Sequence, residues 1–251
     1  MEKEISNWIK EYATKHGIKS LVIGISGGID SALVSTLSAM TGLPTKVVSI
    51  PIEQKSDQLQ RAKDHAKWLM SKYKNVEFIE KDLTKVYQDF KSLFDSRHQT
   101  PLAVANSKSR LRMVALYQIA GSEKGLVVGT GNKVEDFGVG FFTKYGDGGV
   151  DIAPIADLTK SEVRAMAKKL GVSSDIISAR PTDGLWLDDR SDEDQIGASY
   201  EELEWAMEFL AKDTSGADLT DRQHEIIKIY NKFHTSNEHK MLPIPTFKKK
   251  N

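Results

Sequence analysis

Four short runs rich in β-branched residues constrain this chain most: "LVIGIS" (21–26), "KVVSI" (46–50), "VEFIE" (76–80) and "LVVGT" (126–130). Helical patterns lie between them, at 30–41, 57–73 and 102–121. Apolar strands that alternate with helices form a parallel sheet covered on both faces. Right-handed crossovers then wind the chain into an α/β, doubly wound, Rossmann-like fold with a sheet of about five strands. Ligands of such folds sit outside the carboxyl ends of strands, where the strand order reverses. Two segments take such a position: "GISGGIDS" on the first run and "VVGTGNKVED" on the fourth.

The last hundred residues read as mostly helical. Thr159-x-x-Glu162, Ser199-x-x-Glu202 and Thr220-x-x-Gln223 each form a capping-box pattern, and Gly171 stops the first of these helices. No repeat or low-complexity linker divides the chain. Residues 1–251 therefore read as a single domain, with an α/β core over about 18–180 and a helical C-terminal extension over about 181–251. Two stretches lack periodicity, 138–151 and 180–197. Each is long for a connection, and each reads as a loop without fixed order that closes over a ligand; the plainer reading is a surface loop.

Composition excludes several classes. The 35 basic and 35 acidic residues cancel, so nucleic acid is not the expected partner. The absence of cysteine removes disulfides, thiolate metal sites and cysteine nucleophiles, and suits a cytoplasmic setting. The N-terminus carries Ile5, Trp8, Ile9 and Tyr12 at helical spacing rather than a signal-peptide core, and no apolar run reaches membrane-spanning length.

The glycine turn after the first strand decides the chemistry. A Walker A loop fails because no lysine follows Gly28, and a dinucleotide fingerprint fails on the spacing of Gly24, Gly27 and Gly28. What remains is Ser26-Gly27-Gly28-Ile29-Asp30-Ser31, which still has the makings of an anion cradle. Glycines let backbone N–H groups point inward, the next helix adds its positive end, and two hydroxyls add donors. Asp30 would repel a phosphate unless it holds a magnesium ion against it. The alternative is a tight turn with Asp30 or Ser31 as a helix cap.

Ser26 to Ser31 resembles the pyrophosphate loop of the ATP pyrophosphatases, which activate substrates by adenylylation. "GFFTKYGDGGVDIAPIADLTK" (140–160) narrows the resemblance to ammonia-dependent NAD synthetases. "SRLRM" (109–113), "VVGT" (127–130), "PT" (181–182) and "EHK" (238–240) follow the same family order. The resemblance implies that ATP activates deamido-NAD and that ammonia displaces AMP to give NAD. It implies ATP contacts from Gly24, Ile25, Ser26, Gly27, Gly28, Ile29, Asp30, Ser31, Thr130, Lys160 and Thr182. Asp30 and Glu135 would hold magnesium, with Lys160 as the third catalytic group. Deamido-NAD would meet Arg110, Lys144, Asp151, His239 and Lys240. Taken alone, Glu135 reads as a surface glutamate, His239 as an exposed histidine and Asp151 as a turn cap. Lys160 falls in the first turn of its helix, where the dipole disfavours a cation, which points to a ligand role.

Two departures from the family pattern stand out. The segment "GNKVEDFGVGFFT" is one residue longer, and "SIPIEQKSDQ" lacks an arginine and an acidic run, leaving Gln54 as a polar residue that could meet adenine. Without cysteine or room for a fused glutaminase, the chain should use free ammonia or ammonia from another protein. Arg110 and Arg112 point about 200° apart, so one should face ligand and the other solvent. The helix 102–121 is apolar around more of its circumference than one core-facing stripe needs, which predicts a homodimer. The competing readings are another enzyme of the same superfamily, GMP-forming or tRNA-modifying, and a non-catalytic nucleotide-binding relic.

Overall fold

The sheet forms from the four runs named above, each strand shorter than or equal to its apolar stretch. The computed structural model describes residues 1–182, 191–212 and 218–249. In chain order its first half runs α1 (Glu2–Lys15), β1 (Ser20–Gly24), α2 (Ile29–Met40), β2 (Thr45–Ser49), α3 (Ser56–Lys72), β3 (Val76–Glu80), α4 (Thr84–Ser92), α5 (Pro101–Ser122) and β4 (Gly125–Val127). A π-helix (Lys133–Val139) precedes α6 (Lys160–Leu170), α7 (Ser174–Ile177), α8 (Asp192–Ile196), α9 (Tyr200–Ala211) and α10 (Asp221–Met241).

All strands are parallel, in the order β3-β2-β1-β4. Of an expected fifth strand the described residues keep one parallel bridge, Val128 to Ile152. The order reverses beside β1, so the loops after β1 and β4 open next to each other.

Alternation along β1 sorts the layers. Leu21 and Ile23 enter a core with Ile9 and Ala13 of α1, Leu33 and Leu37 of α2, and Val163 and Met166 of α6. Val22 points the other way, with Val48 and Val127, into Met113, Leu116 and Ala120 of α5. Helices thus cover both faces. A separate core joins the π-helix to the C-terminal helices: Val134 and Val139 pack with Tyr200, Leu203, Ala206, Ile226 and Tyr230.

The local signals form as read. Thr159, Ser199 and Thr220 make complete capping boxes, and Gly171 ends α6 at φ 84°. Thr100 caps α5, with Pro101 in its first turn.

The expectation of disorder at 138–151 meets a different result. Gly146 N–H donates to Thr143 O (2.9 Å) and Gly149 N–H to Gly146 O (2.8 Å), while α10 pins the preceding turn through side-chain hydrogen bonds. In the second segment, 183–190 lie outside the described residues, and 192–196 form α8. Among the described residues no helix is long and apolar enough to cross a membrane.

Candidate active site

The turn after β1 holds its own shape. Ile25 N–H continues the ladder to Val48 O (2.8 Å). Ser31 Oγ donates to Gly28 O (3.0 Å) and accepts from Ser26 N–H (3.2 Å), and Ser26 Oγ accepts from Gly28 N–H (3.2 Å). Gly27 sits at φ 85°, and a Cβ there would collide with the carbonyl of Gln58 on α3. Gly27 is therefore required twice, by conformation and by close approach. Arg61 and Gln54 brace the loop from outside, through Gly27 O (3.4 Å) and Ser26 O (3.2 Å). No side chain caps α2, which leaves Asp30 available for another task.

That task is visible across the sheet. Lys160 Nζ lies 2.6 Å from Asp30 Oδ2 and 2.9 Å from Glu135 Oε1. Its side chain is 3% exposed, against 18% for Asp30 and 16% for Glu135. A buried ammonium in a helix's first turn is stable only with such partners. Burial alone would lower the Lys160 pKa, but the two carboxylates outweigh it and raise it. Burial pushes the Asp30 carboxyl up against the pull of Lys160. At Glu135, burial pushes upward too, but Lys160 together with the Tyr200 hydroxyl holds the carboxyl below its usual range.

Neighbouring side chains orient the trio. Asn132 donates from Nδ2 to Asp30 Oδ1 (3.1 Å), while its Oδ1 caps the π-helix by accepting from Val134 N–H (3.1 Å) and Glu135 N–H (3.0 Å). One amide thus ties the two strand-end loops together. Tyr200 donates its hydroxyl to Glu135 Oε1, and its ring lies under the Lys160 ammonium, 4.8 Å from Nζ to the centroid. Burial and the flanking carboxylates push this phenol far above its usual range, so it remains a donor. The π-helix Lys133–Val139 carries Glu135 in its first turn.

Asp30, Glu135 and Lys160 line a cavity of ≈850 Å³ that also takes in Gly24 to Ser31, Thr130 and Thr182 at one end and Arg110, Lys144, His239 and Lys240 at the other. The second end is built from the C-terminal helix. Lys240 Nζ donates to Phe142 O (2.8 Å) and Gly140 O, Asn237 Nδ2 to Val139 O (2.9 Å), and His234 Nδ1 to Gly138 O (2.6 Å). In return Lys144 Nζ reaches His239 O (2.9 Å), and Arg110 Nε reaches Lys144 O (3.1 Å). Burial lowers the Lys240 pKa, and it raises that of Asp136 in the same wall.

Asp151 lies outside the lining of this cavity: its Oδ2 accepts from Val127 N–H (2.7 Å) and its Oδ1 from the Tyr117 hydroxyl (2.9 Å), so it ties β4 to α5 within the subunit. One expectation needs correction. Arg112 does not turn to solvent, because it lines the cavity beside Arg110 and donates to Ile50 O (3.0 Å). Asn132 and Tyr200 were not foreseen. The spacing Asn132-x-x-Glu135 is a helix-cap signal that could have found the first; nothing local marks the second.

The family model for NAD synthase matches residues 1–243. The chain is 37% identical over 223 residues to an NH(3)-dependent NAD(+) synthetase of Mesoplasma florum, covering 87% of this chain and 88% of that one. It is 38% identical over 219 residues to the same-named protein of Mycoplasmopsis pulmonis, at 87% and 82% coverage. Among solved structures, the NMN synthetase of Francisella tularensis superposes with a TM-score of 0.84 and 31% identity, over 98% of this chain and 96% of that one. The glycine cradle, the carboxylates on adjacent loops and these whole-length matches agree: the chain belongs to the NAD synthase family.

Proposed function

We propose that the protein is an ammonia-dependent ligase that converts deamido-NAD to NAD, with ATP cleaved to AMP and pyrophosphate. The observation that carries this reading is the pair of buried carboxylates held on one ammonium, in the same cavity as a glycine cradle. The nicotinate carboxylate attacks the α-phosphorus and pyrophosphate leaves. Ammonia then attacks the acyl carbon of the adenylate and AMP leaves. Positioning and charge stabilisation dominate such a displacement.

The residues divide by the two ends of the cavity. Gly24 to Ser31, Thr130, Lys160 and Thr182 face ATP, with the loop amides and Ser26 and Ser31 on the departing pyrophosphate. Arg110, Lys144, His239 and Lys240 face deamido-NAD. Asp30 and Glu135 would hold magnesium. They fit it, since hard oxygen donors already surround a cation at this point. Magnesium takes one or two protein carboxylates and completes its shell with phosphate oxygens and water. When bound there, magnesium would offset charge on the reacting phosphates. Lys160 would then turn from the carboxylates to the phosphate oxygens.

We read residues 1–251 as one domain acting as a homodimer. Val114 (65% exposed) and Tyr117 (39%) share a helix face with Arg110, which supports a partner over this end of the cavity. A chain free of cysteine suits the use of ammonia directly and residence in the cytoplasm.

Incubation with ATP, magnesium, ammonium and deamido-NAD tests the reading. NAD, AMP and pyrophosphate should form in equal amounts, and absence of NAD would overturn it. A second reading keeps the chemistry and shortens the substrate to nicotinate mononucleotide; the match to the NMN synthetase favours it. The ratio of kcat/KM for the two acids decides between them.

A further inference from the structure

We infer that Tyr200 is a positioning residue for this reaction, holding Glu135 in place as the second magnesium ligand. The inference rests on the metal reading above. Tyr200 is 1% exposed, and its ring packs in the core with Val134, Leu203 and Ile226. A phenyl ring would serve that core equally well. The hydroxyl is different: it points out of the core at two carboxylates, Glu135 and, at 3.3 Å, Asp192 Oδ2. A single hydroxyl proton serves one acceptor, and the shorter contact is to Glu135. A buried hydroxyl is costly unless bonded, so this geometry is specified rather than incidental.

The donation reaches Glu135 Oε1, the same oxygen that receives Lys160. Once Lys160 turns to the phosphates, Tyr200 is the hydroxyl donor that still fixes this oxygen. Its own frame is rigid. Tyr200 opens α9 directly after the Ser199 capping box. Glu204 binds Ser161 N–H (3.0 Å) and Ser161 Oγ (2.8 Å), and Arg164 meets Glu201 (3.2 Å), so α9 is tied to the helix that carries Lys160. The C-terminal helices thereby complete a site whose ligands lie on the α/β core.

The test is Tyr200→Phe. Mn2+ binding is measured by electron paramagnetic resonance in the presence of adenosine 5′-(α,β-methylene)triphosphate, which cannot release pyrophosphate. Mn2+ affinity should fall about 10- to 100-fold, as for other groups that orient metal ligands. The Mg2+ concentration for half-maximal rate should rise by a similar factor, with KM for deamido-NAD and the circular dichroism spectrum unchanged. A purely packing role would move neither metal quantity. Wild-type Mn2+ affinity and Mg2+ demand in Tyr200→Phe would overturn the inference alone. Failure of the wild-type protein to bind Mn2+ with the analogue would overturn the metal reading and this inference with it.

Discussion

The two ends of the cavity are built differently. At the phosphate end, short loops leave neighbouring parallel strands, and the charged groups are buried and paired: Lys160 with Asp30 and Glu135. At the other end, α10 reaches back about a hundred residues to hold the carbonyls of 138–142, and the groups there are more exposed. The first end takes its rigidity from the sheet. The second takes it from side-chain donors on one helix, each worth about 1 kcal/mol. Damage should therefore be severe and chemical at the first end, graded and affinity-like at the second.

Lys160→Met is the strongest way to break this contrast. It leaves two buried carboxylates without their cation, which should cost about 3–5 kcal/mol of stability. Adenylylation should fall about 10²–10³-fold or more. Asp30→Ala should abolish adenylylation with a smaller stability loss, because Lys160 keeps Glu135. Urea melts and ATP–pyrophosphate exchange measure both; equal melts for the two variants would contradict the burial argument.

Gly27→Ala tests the backbone of the same end. A side chain at φ 85° against the Gln58 carbonyl should destabilise the protein by about 3 kcal/mol. A melt close to wild type would mean that α3 yields at this contact.

His65, on the helix behind the glycine loop, sharpens the comparison through pH. Burial against Ser35 lowers its pKa to about 4. At neutral pH both folded and unfolded states hold the ring neutral. Below pH 6.5 the unfolded chain takes up a proton that the folded ring refuses until about pH 4. Stability should therefore fall by up to roughly 3 kcal/mol as pH drops through that window. His65→Gln should remove this component, seen as the difference between melts at pH 7 and pH 4.5.

Lys240→Met addresses the second end and should have the smallest effect. Loss of its bonds to Gly140 O and Phe142 O should cost about 1–2 kcal/mol. KM for deamido-NAD should rise about tenfold, with ATP–pyrophosphate exchange largely kept at saturation. A collapse of kcat instead would place Lys240 with the chemistry and dissolve the distinction between the ends.

Much of this was legible in the residues. The four strands, the capped helices and the glycine turn are local patterns, and the family signature put Asp30, Glu135 and Lys160 in one site before any geometry. The same signature marked Asp151, and the structure shows what holds that carboxylate within the subunit, Val127 N–H and the Tyr117 hydroxyl. The helical angle sent one of Arg110 and Arg112 to solvent, because it does not reveal that two separate segments meet the helix, at Lys144 O for Arg110 and at Ile50 O for Arg112. Asn132 was within reach as an Asn-x-x-Glu cap; Tyr200 was not, since it lies 65 residues from Glu135 and its only local role is to follow a capping serine.

The sequence by itself determined the strand and helix segments, the caps, the anion-binding turn and the absence of thiol chemistry. Each depends on dihedral preference, periodicity or residue type over a few positions. Only the tertiary structure decided which carboxylates share the Lys160 ammonium and which hydroxyl holds Glu135. Those outcomes depend on elements distant in the chain meeting at one point, where burying a charge is tolerable only if every partner arrives.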